Sequence, residues 1–100
     1  MSHPANDLDD AVHQRSRLGI LAVLVEVRRA DFTYLRDTLN LTDGNLSRHL
    51  RVLEEAGYVR IEKKFEEKRP RTWVSATTKG RAAFKSELET LQSLIARAAG

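Results

Sequence analysis

The chain has 100 residues, enough for one domain with a modest core, and 41% of them are hydrophobic and 31% charged, as in folded soluble proteins. The net charge at pH 7 is only +3, so the placement of charges matters more than their total. The absence of cysteine excludes disulfides, thiolate metal sites and cysteine nucleophiles, and the longest apolar run, Leu18 to Val25, is too short to span a bilayer, so a cytoplasmic protein is expected.

The chain begins with a polar stretch that has no clear helical or strand pattern. We expect residues 1–6 to be a disordered lead-in and residues 7–100 to form one domain. Asp7 is placed to cap a short first helix that contains Ala11 and Val12.

Two helices are predicted next. Apolar residues lie nearly all round a helical wheel between Ser16 and Ala30, which is typical of a central core helix. Asp31 and Phe32 are expected to end this helix. Thr33 is then predicted to cap another helix that ends near Asn40. The tight connection from there to the following helix makes a helix-turn-helix candidate.

The segment from Thr42 to Gly57 predicts a capped helix with one apolar face. The Thr42 hydroxyl can accept a hydrogen bond from a first-turn N–H, and Gly57 stands where a helix often ends in a left-handed residue. The leucines of this helix recur at spacings of four and three and so share one stripe: Leu46, Leu50 and Leu53. His49 lies nearer to this stripe than to the outer face.

The outer face of the same helix carries the candidates for contact with DNA. Arg48 and Arg51 lie opposite the leucines, where a guanidinium can bond to a guanine or bridge phosphates, although a solvated face is the alternative. Asn45 and Ser47 lie in the first turns, where recognition helices meet base edges, but both residue types also favour helix starts. Thr42 can hold a phosphate at the helix start, although capping alone accounts for it.

After Gly57 the apolar period changes to two, which predicts strands. A two-stranded hairpin with its tip near Glu66 to Pro70 is the natural interpretation. Its basic residues are candidates for contact with DNA phosphates or the minor groove: Lys63, Lys64, Lys68, Arg69 and Arg71. Three glutamates dilute them, so the alternative is a solvated hairpin of mixed charge.

Within this hairpin we expect different uses for different side chains. Arg69 and Arg71 are favoured for minor-groove contact, because Pro70 between them would stiffen the tip, and the lysines are expected to touch phosphates only. Trp73 and Phe65 are expected to pack on the outer face of the hairpin or against a partner chain. Base stacking is the alternative for these two rings.

The last predicted helix runs over about 78–98, and Thr77 or Thr78 can cap it. Its apolar residues recur at spacings of four and three for about two heptads. Such a stripe can pack on the first helix of its own chain or on a second subunit. A homodimer is favoured, because a symmetric DNA-binding protein presents two recognition helices about one DNA turn apart. Its interface is expected to contain Phe84, Leu88, Leu91 and Ile95.

The predicted elements follow the order of a winged helix-turn-helix domain: helix, helix, turn, helix, hairpin and helix. This is an α+β fold that is mostly helical. It has a two-stranded wing, and here we expect a C-terminal dimerisation helix. The sequence LSRHLRVLEEAGYV, from Leu46 to Val59, resembles the recognition helix of MarR-like and ArsR-like repressors. VSATTKG, from Val74 to Gly80, resembles the passage from their wing to the next helix. The resemblance covers roughly Val12 to Leu88, and the nearest group is the small stand-alone regulators with one C-terminal helix.

The resemblance implies a homodimeric regulator, expected to be a repressor, that binds double-stranded DNA sequence-specifically. Residues 43–56 would enter the major groove and the wing, 62–71, would lie on the flanking minor groove or phosphates. The competing function is a winged-helix module for protein interaction within a larger complex, since a fold alone does not decide function.

Departures from these families limit what the resemblance implies. ArsR-like metal sensors often carry a cysteine pair on the helix before the recognition helix, where this chain reads TYLRDTL from Thr33 to Leu39. Larger MarR proteins have longer terminal helices around a ligand cleft, so a small-molecule effector is possible here but unsupported. No cofactor, metal or catalytic site is expected, because the chain has no glycine-rich phosphate loop or nucleophile elbow, and His3 and His13 follow no metal-ligand spacing.

Overall fold

The computed structural model describes residues 3–100 and confirms a winged helix-turn-helix architecture, mostly helical, with a small antiparallel sheet. Its elements, in chain order, are a 3₁₀ turn (Pro4–Asp7), α1 (Arg15–Glu26), β1 (Ala30–Asp31), α2 (Phe32–Thr38), α3 (Asp43–Glu55), β2 (Val59–Glu66), β3 (Arg69–Ala76) and α4 (Thr78–Ala99).

Helix α1 lies at the centre of the core and contacts α3, β3 and α4. Three of its side chains have no exposed surface: Ile20, Leu21 and Leu24. The leucine stripe predicted on α3 is confirmed, because Leu46 and Leu53 are fully buried and Leu50 is nearly so. Burial of these leucines holds α3 against the body and leaves its opposite side in solvent.

The helix predicted over 16–30 is shorter than expected. It ends at Glu26, and Ala30–Asp31 forms a short strand instead, opposite Val74 and Trp73 of β3. The sheet therefore has three strands in the order β1-β3-β2. The prediction was wrong at this end because pairing with a distant strand, which a local apolar pattern does not show, overrides the low strand preference of alanine and aspartate.

The helix-turn-helix depends on two capping side chains and one left-handed residue. Asp31, not Thr33 as predicted, caps α2, and its Oδ1 accepts from Tyr34 N–H at 2.7 Å. Asn40 adopts φ 54°, which allows the chain to turn directly into α3. There the predicted cap is confirmed, because Thr42 Oγ1 accepts from Asn45 N–H at 3.1 Å.

The wing is a hairpin paired along its whole length, from Val59 opposite Ala76 to Glu66 opposite Arg69. Gly57 leads into it with φ 82°, as predicted for a left-handed helix end. The turn is Glu67-Lys68, and φ values of 50° and 66° fit the type I′ turn that matches the twist of a hairpin.

Pro70, predicted to stiffen the tip, belongs to β3 and lies opposite Phe65. In a hairpin with a two-residue turn this pair exchanges no backbone hydrogen bonds, so the missing N–H of proline would point away from β2. The neighbouring strand on that side of β3 is β1, which pairs only with Val74 and Trp73. Pro70 therefore has no partner strand there, and no hydrogen bond of the sheet is lost.

The predicted lead-in has defined structure wherever the chain is described. Residues 1 and 2 lie outside the described residues, but Pro4–Asp7 forms a 3₁₀ turn that contacts α4, and His3 Nδ1 accepts from Ala5 N–H at 3.0 Å. Contact with α4, which is distant in sequence, positions this turn.

The short helix predicted after Asp7 is also replaced by a turn. Asp9 Oδ1 accepts from Ala11 N–H at 2.8 Å, which offers the backbone an alternative to a helix. The turn is held by Glu87 of α4, whose buried carboxylate accepts from Asp9 N–H at 3.1 Å and lies 2.8 Å from His13 Nδ1. The Tyr58 phenol donates to Asp9, and this bond raises the pKa of Tyr58 to about 12.

Candidate nucleic-acid interface

The solvent side of α3 carries all the contact residues predicted for this helix, and each is exposed: Thr42, Asn45, Ser47, Arg48 and Arg51. Arg48 Nη2 donates to Asn45 Oδ1 at 3.2 Å, so the two side chains meet over the first turns. A methyl group placed on Gly44 would meet no atom within 4 Å, so this surface is open to a close approach. The contact of these residues with DNA stays a prediction.

His49 belongs to the buried side of α3, as the sequence predicted. It is 7% exposed, and Arg17 Nη1 lies 3.3 Å from its Nδ1. Because a guanidinium only donates, this ring nitrogen must be the acceptor. Burial, and then the charges of Arg17 and Arg48, lower the pKa of His49. The imidazole is therefore neutral at pH 7 and serves packing between α1 and α3.

A groove of about 630 Å³ separates α3 from the wing. Its walls are formed by α2, α3 and the sheet: Phe32, Ser47, Leu50, Arg51, Glu54, Ile61, Lys63 and Thr72. Strand alternation places Lys63 here, because it shares the inner face of the sheet with the buried Val59. The groove thus brings the predicted contacts Ser47 and Arg51 of α3 together with Lys63 of the wing.

The remaining wing cations point elsewhere. Lys68 lies in the turn and Arg69 next to it, and both are exposed. Lys64 and Arg71 lie opposite each other on the outer face, which we define as the face of the hairpin opposite the buried Val59 and Val74. The five basic residues predicted as one set therefore divide between the groove, the tip and the outer face.

Arg71 is engaged within the fold. Its Nη2 and Nε lie 2.8 and 3.3 Å from Asp31 Oδ2. The hydrogen bond from Arg71, followed by that from Tyr34 N–H, lowers the pKa of Asp31. On the outer face, two guanidinium groups contact the Trp73 ring, with Arg29 Cζ at 3.9 Å and Arg71 Cζ at 4.7 Å from its ring centroid.

The two aromatic rings of the wing lie on opposite faces. Trp73 is on the outer face, as predicted, and its Nε1 donates to Glu66 Oε1 at 3.0 Å. Phe65 alternates onto the inner face, beyond Lys63, and is 74% exposed. The expectation that Phe65 packs on the outer face is therefore wrong, because strand register decides which side each ring occupies.

Two functional candidates were missed in the sequence. Asp31 was interpreted only as a helix breaker, although an aspartate before a helix is also a cap signal. Arg29 stacks on a tryptophan far along the chain, and no local pattern connects them.

The stripe predicted as a dimer interface is divided by the structure. Phe84 is 9% exposed and packs in the core of its own chain, which leaves little of its surface for a second subunit. Leu88 and Ile95 are 42% and 67% exposed, and Leu91 between them is partly exposed. Only this outer part of α4 is available to another subunit.

Across residues 3–100, no helix is long and apolar enough to cross a membrane. The same residues contain no group of three or more His, Cys, Asp or Glu side chains arranged to hold a metal ion.

Known proteins share the winged-helix fold described above. A family model described as a winged helix DNA-binding domain matches residues 16–95. The uncharacterised protein MJ0432 of Methanocaldococcus jannaschii is 47% identical over a match that covers 76% of this chain and 84% of that protein.

Solved structures extend the comparison. A transcriptional regulator homologue from Pyrococcus horikoshii OT3 is 34% identical, with a TM-score of 0.89 and 98% of both chains covered. The M. tuberculosis regulator MosR, in complex with DNA, is 21% identical and shares the fold, with a TM-score of 0.71 and coverage of 95% of this chain and 68% of that one. The matched family model spans most of the chain, and the chain therefore belongs to the winged-helix DNA-binding domain family.

Proposed function

We propose that this protein is a sequence-specific, double-stranded DNA-binding transcriptional regulator that works as a homodimer. The observation that carries the proposal is the exposed polar side of α3, with Asn45, Ser47, Arg48 and Arg51, standing beside a groove that Lys63 of the wing also lines. A helix buried on one side and polar on the other fits the major groove, and the groove beside it suits a phosphate backbone.

Each part of this surface has its own task in the proposal. Arg48 and Asn45 read base edges, because they lie in the first turns of α3 and are already joined by a hydrogen bond. Arg51 and Lys63 line the groove from opposite sides and hold a phosphate there. Thr42 adds a phosphate contact at the helix start.

The wing tip extends this footprint. Lys68 and Arg69 reach the flanking minor groove or its phosphates, and Lys64 contributes to the electrostatic attraction from the outer face. Arg71 was expected to contact the minor groove or phosphates, but Asp31 already binds its guanidinium. We assign it to holding the wing, with DNA contact only through its remaining donors.

Dimerisation completes the site. One α3 helix reads only a few base pairs, and a two-fold dimer places a second one on the next turn of DNA. The exposed Leu88 and Ile95 of α4, with Leu91 between them, supply an apolar stripe for an isologous contact. A dimer that covers a palindrome excludes other proteins from it, so repression is the simplest outcome.

Selection of bound duplexes from a random pool, combined with the mass of the free protein from light scattering, tests the proposal. We expect a palindromic motif with half-sites about one helical turn apart and twice the mass of one chain. Failure to retain any duplex at low salt would contradict the proposal. That result would instead favour a module for protein interaction.

A further inference from the structure

Phe65 is the most exposed of the large hydrophobic side chains in the described part of the chain, at 74%. It does not stand alone, because its cross-strand neighbour is Pro70, which is also exposed. Together they form an apolar pair next to the turn, on the inner face of the hairpin. Single exposed apolar residues are ordinary. A phenyl ring and a proline paired beside a highly charged turn instead indicate a binding surface.

Charge surrounds this pair in a specific way. Four cations and two carboxylates surround it: Lys63 precedes it on the inner face, Lys64 lies beside it on the outer face, and Lys68 and Arg69 lie at the turn with Glu66 and Glu67. The carboxylate of Glu66 accepts from Trp73 Nε1 at 3.0 Å, and the patch as a whole has a net positive charge. A DNA minor groove has the complementary layout, with phosphates along both walls and sugars and base edges between them. An apolar pair in a patch of net positive charge thus matches this groove better than it matches a protein surface.

A second copy of the chain is a poorer partner for this patch. In an isologous contact the patch would meet itself, which brings two surfaces of net positive charge together. The apolar stripe with Leu88 and Ile95 lies on α4 and is the better candidate for the dimer.

The hairpin is also stiff enough to hold a ring in place. Its strands are paired up to Glu66 opposite Arg69, the turn has only two residues, and proline fixes the backbone opposite Phe65. The ring shares the inner face with Lys63, which lines the groove beside α3. With α3 in the major groove, this face turns toward the duplex.

We propose that Phe65 is an apolar wedge that enters the flanking minor groove and partly unstacks a base step there. The protein then bends its DNA and reads how easily that step deforms, which adds specificity at positions that α3 does not touch. This inference rests on the proposed function and adds a second way of recognising sequence to it.

The test uses the duplex selected by the full-length protein, with 2-aminopurine placed in turn at each flanking step. Binding of the wild type should raise the fluorescence at one step on each side and bend the duplex, as measured by energy transfer between its ends. Phe65→Ala should weaken binding about tenfold and abolish both signals. The salt dependence of its binding should not change, because a phenyl ring releases no counterions.

Two further variants serve as controls. Phe65→Leu keeps an apolar wedge and should retain most of the bend. Lys68→Ala should lower the salt dependence of binding while leaving the fluorescent step in place.

Four other results would contradict either the wedge or the proposed function. If wild type and Phe65→Ala bind and bend the duplex equally, the wedge is wrong and the proposed function stands. If Phe65→Ala loses affinity without any change in fluorescence, Phe65 makes a surface contact only, and the wedge is again wrong. If Phe65→Ala alters the mass of the free protein, the ring belongs to a protein interface. If the wild type retains no duplex, the proposed function itself has failed.

Discussion

The guanidinium of Arg48 is exposed on α3 and donates to Asn45 Oδ1, so it is held over the first turns of the helix. Arg51 lies about one turn further along and lines the groove beside Lys63. Two arginines on one helix face thus have different surroundings, and this difference supports base reading by the first and phosphate contact by the second.

Replacement of Arg48 by alanine should weaken binding to the selected duplex by about 1–3 kcal/mol and relax the preference for one base pair. Fluorescence anisotropy on the selected and on a random duplex measures both effects. Arg60→Ala is the matched control, because Arg60 is an exposed arginine on the outer face of β2, and its loss should matter little. An equal loss on both duplexes would identify Arg48 as a phosphate contact instead.

His49 allows a pH prediction at the residue scale. Its pKa in the folded state is lower than the value of 6.5 expected for an unfolded chain, because of burial and two neighbouring guanidinium groups. The unfolded state therefore binds the proton more readily. The stability that neutral His49 contributes is complete above pH 6.5 and is lost as pH falls through the folded-state pKa.

Thermal unfolding between pH 7.5 and 5 tests this expectation. The wild type should lose stability over this range, and His49→Gln should lose less of it, because glutamine takes up no proton. Identical pH profiles for the two proteins would show that the folded structure does not resist protonation of this ring. NMR titration of the imidazole gives the same information directly.

At the scale of elements, Asp31 joins the helix-turn-helix to the wing. One carboxylate oxygen caps α2 through Tyr34 N–H, and the other binds the guanidinium of Arg71 in β3. The Trp73 ring, which both Arg71 and Arg29 contact, supports this ion pair on the outer face. We therefore expect the position of the wing relative to α2 and α3 to depend on this junction.

Two substitutions separate the roles of Asp31. Asp31→Ala should cost about 0.5–2 kcal/mol of folding stability through loss of the cap alone. Asp31→Asn keeps a capping oxygen, so it should retain most of the stability but bind DNA more weakly, because Arg71 is released. Chemical denaturation and DNA titration measure these effects, and equal DNA binding by Asp31→Asn and wild type would show that the wing does not need the ion pair.

The same carboxylate also has a pH dependence. Its folded-state pKa is below the ordinary value of 3.8, so its contribution to stability is present above that pH and is lost as pH falls through the folded-state pKa. The junction between α2 and the wing should therefore be intact throughout the neutral range.

At the scale of the whole molecule, we propose that the outer stripe of α4 decides how many recognition helices meet the DNA. Ile95→Glu should give a protein with the mass of one chain, because a carboxylate in an apolar interface has no partner there. Affinity for the palindrome should fall about a hundredfold, while weak binding to a half-site remains. Light scattering and titration of full and half-site duplexes measure these outcomes.

Ser93→Glu is the control, because it adds the same charge on the opposite side of α4. It should leave both the mass and the affinity unchanged. If Ile95→Glu retains the mass of the wild type, α4 is not the dimer contact. If the wild type and Ile95→Glu both have the mass of one chain, the proposal of a homodimer is wrong.

Local sequence determined the part of the molecule that we assign to DNA reading. The leucine stripe of α3, its cap at Thr42 and the left-handed Gly57 were all predicted, because helix periodicity and capping involve residues only a few positions apart. The hairpin was predicted for the same reason, since alternation is a local pattern. The exposure of Arg48 and Arg51 followed directly from the burial of the opposite side.

Tertiary structure alone decided the features that depend on distant partners. Pairing with β3 turned Ala30–Asp31 into a strand, and Glu87 of α4 ordered the turn around Asp9. The stripe on α4 is continuous in sequence, yet the core takes Phe84 and leaves Ile95 in solvent. Strand register likewise separated Phe65 from Trp73. In each case the local pattern fits two environments, and only burial or pairing against another element selects one of them.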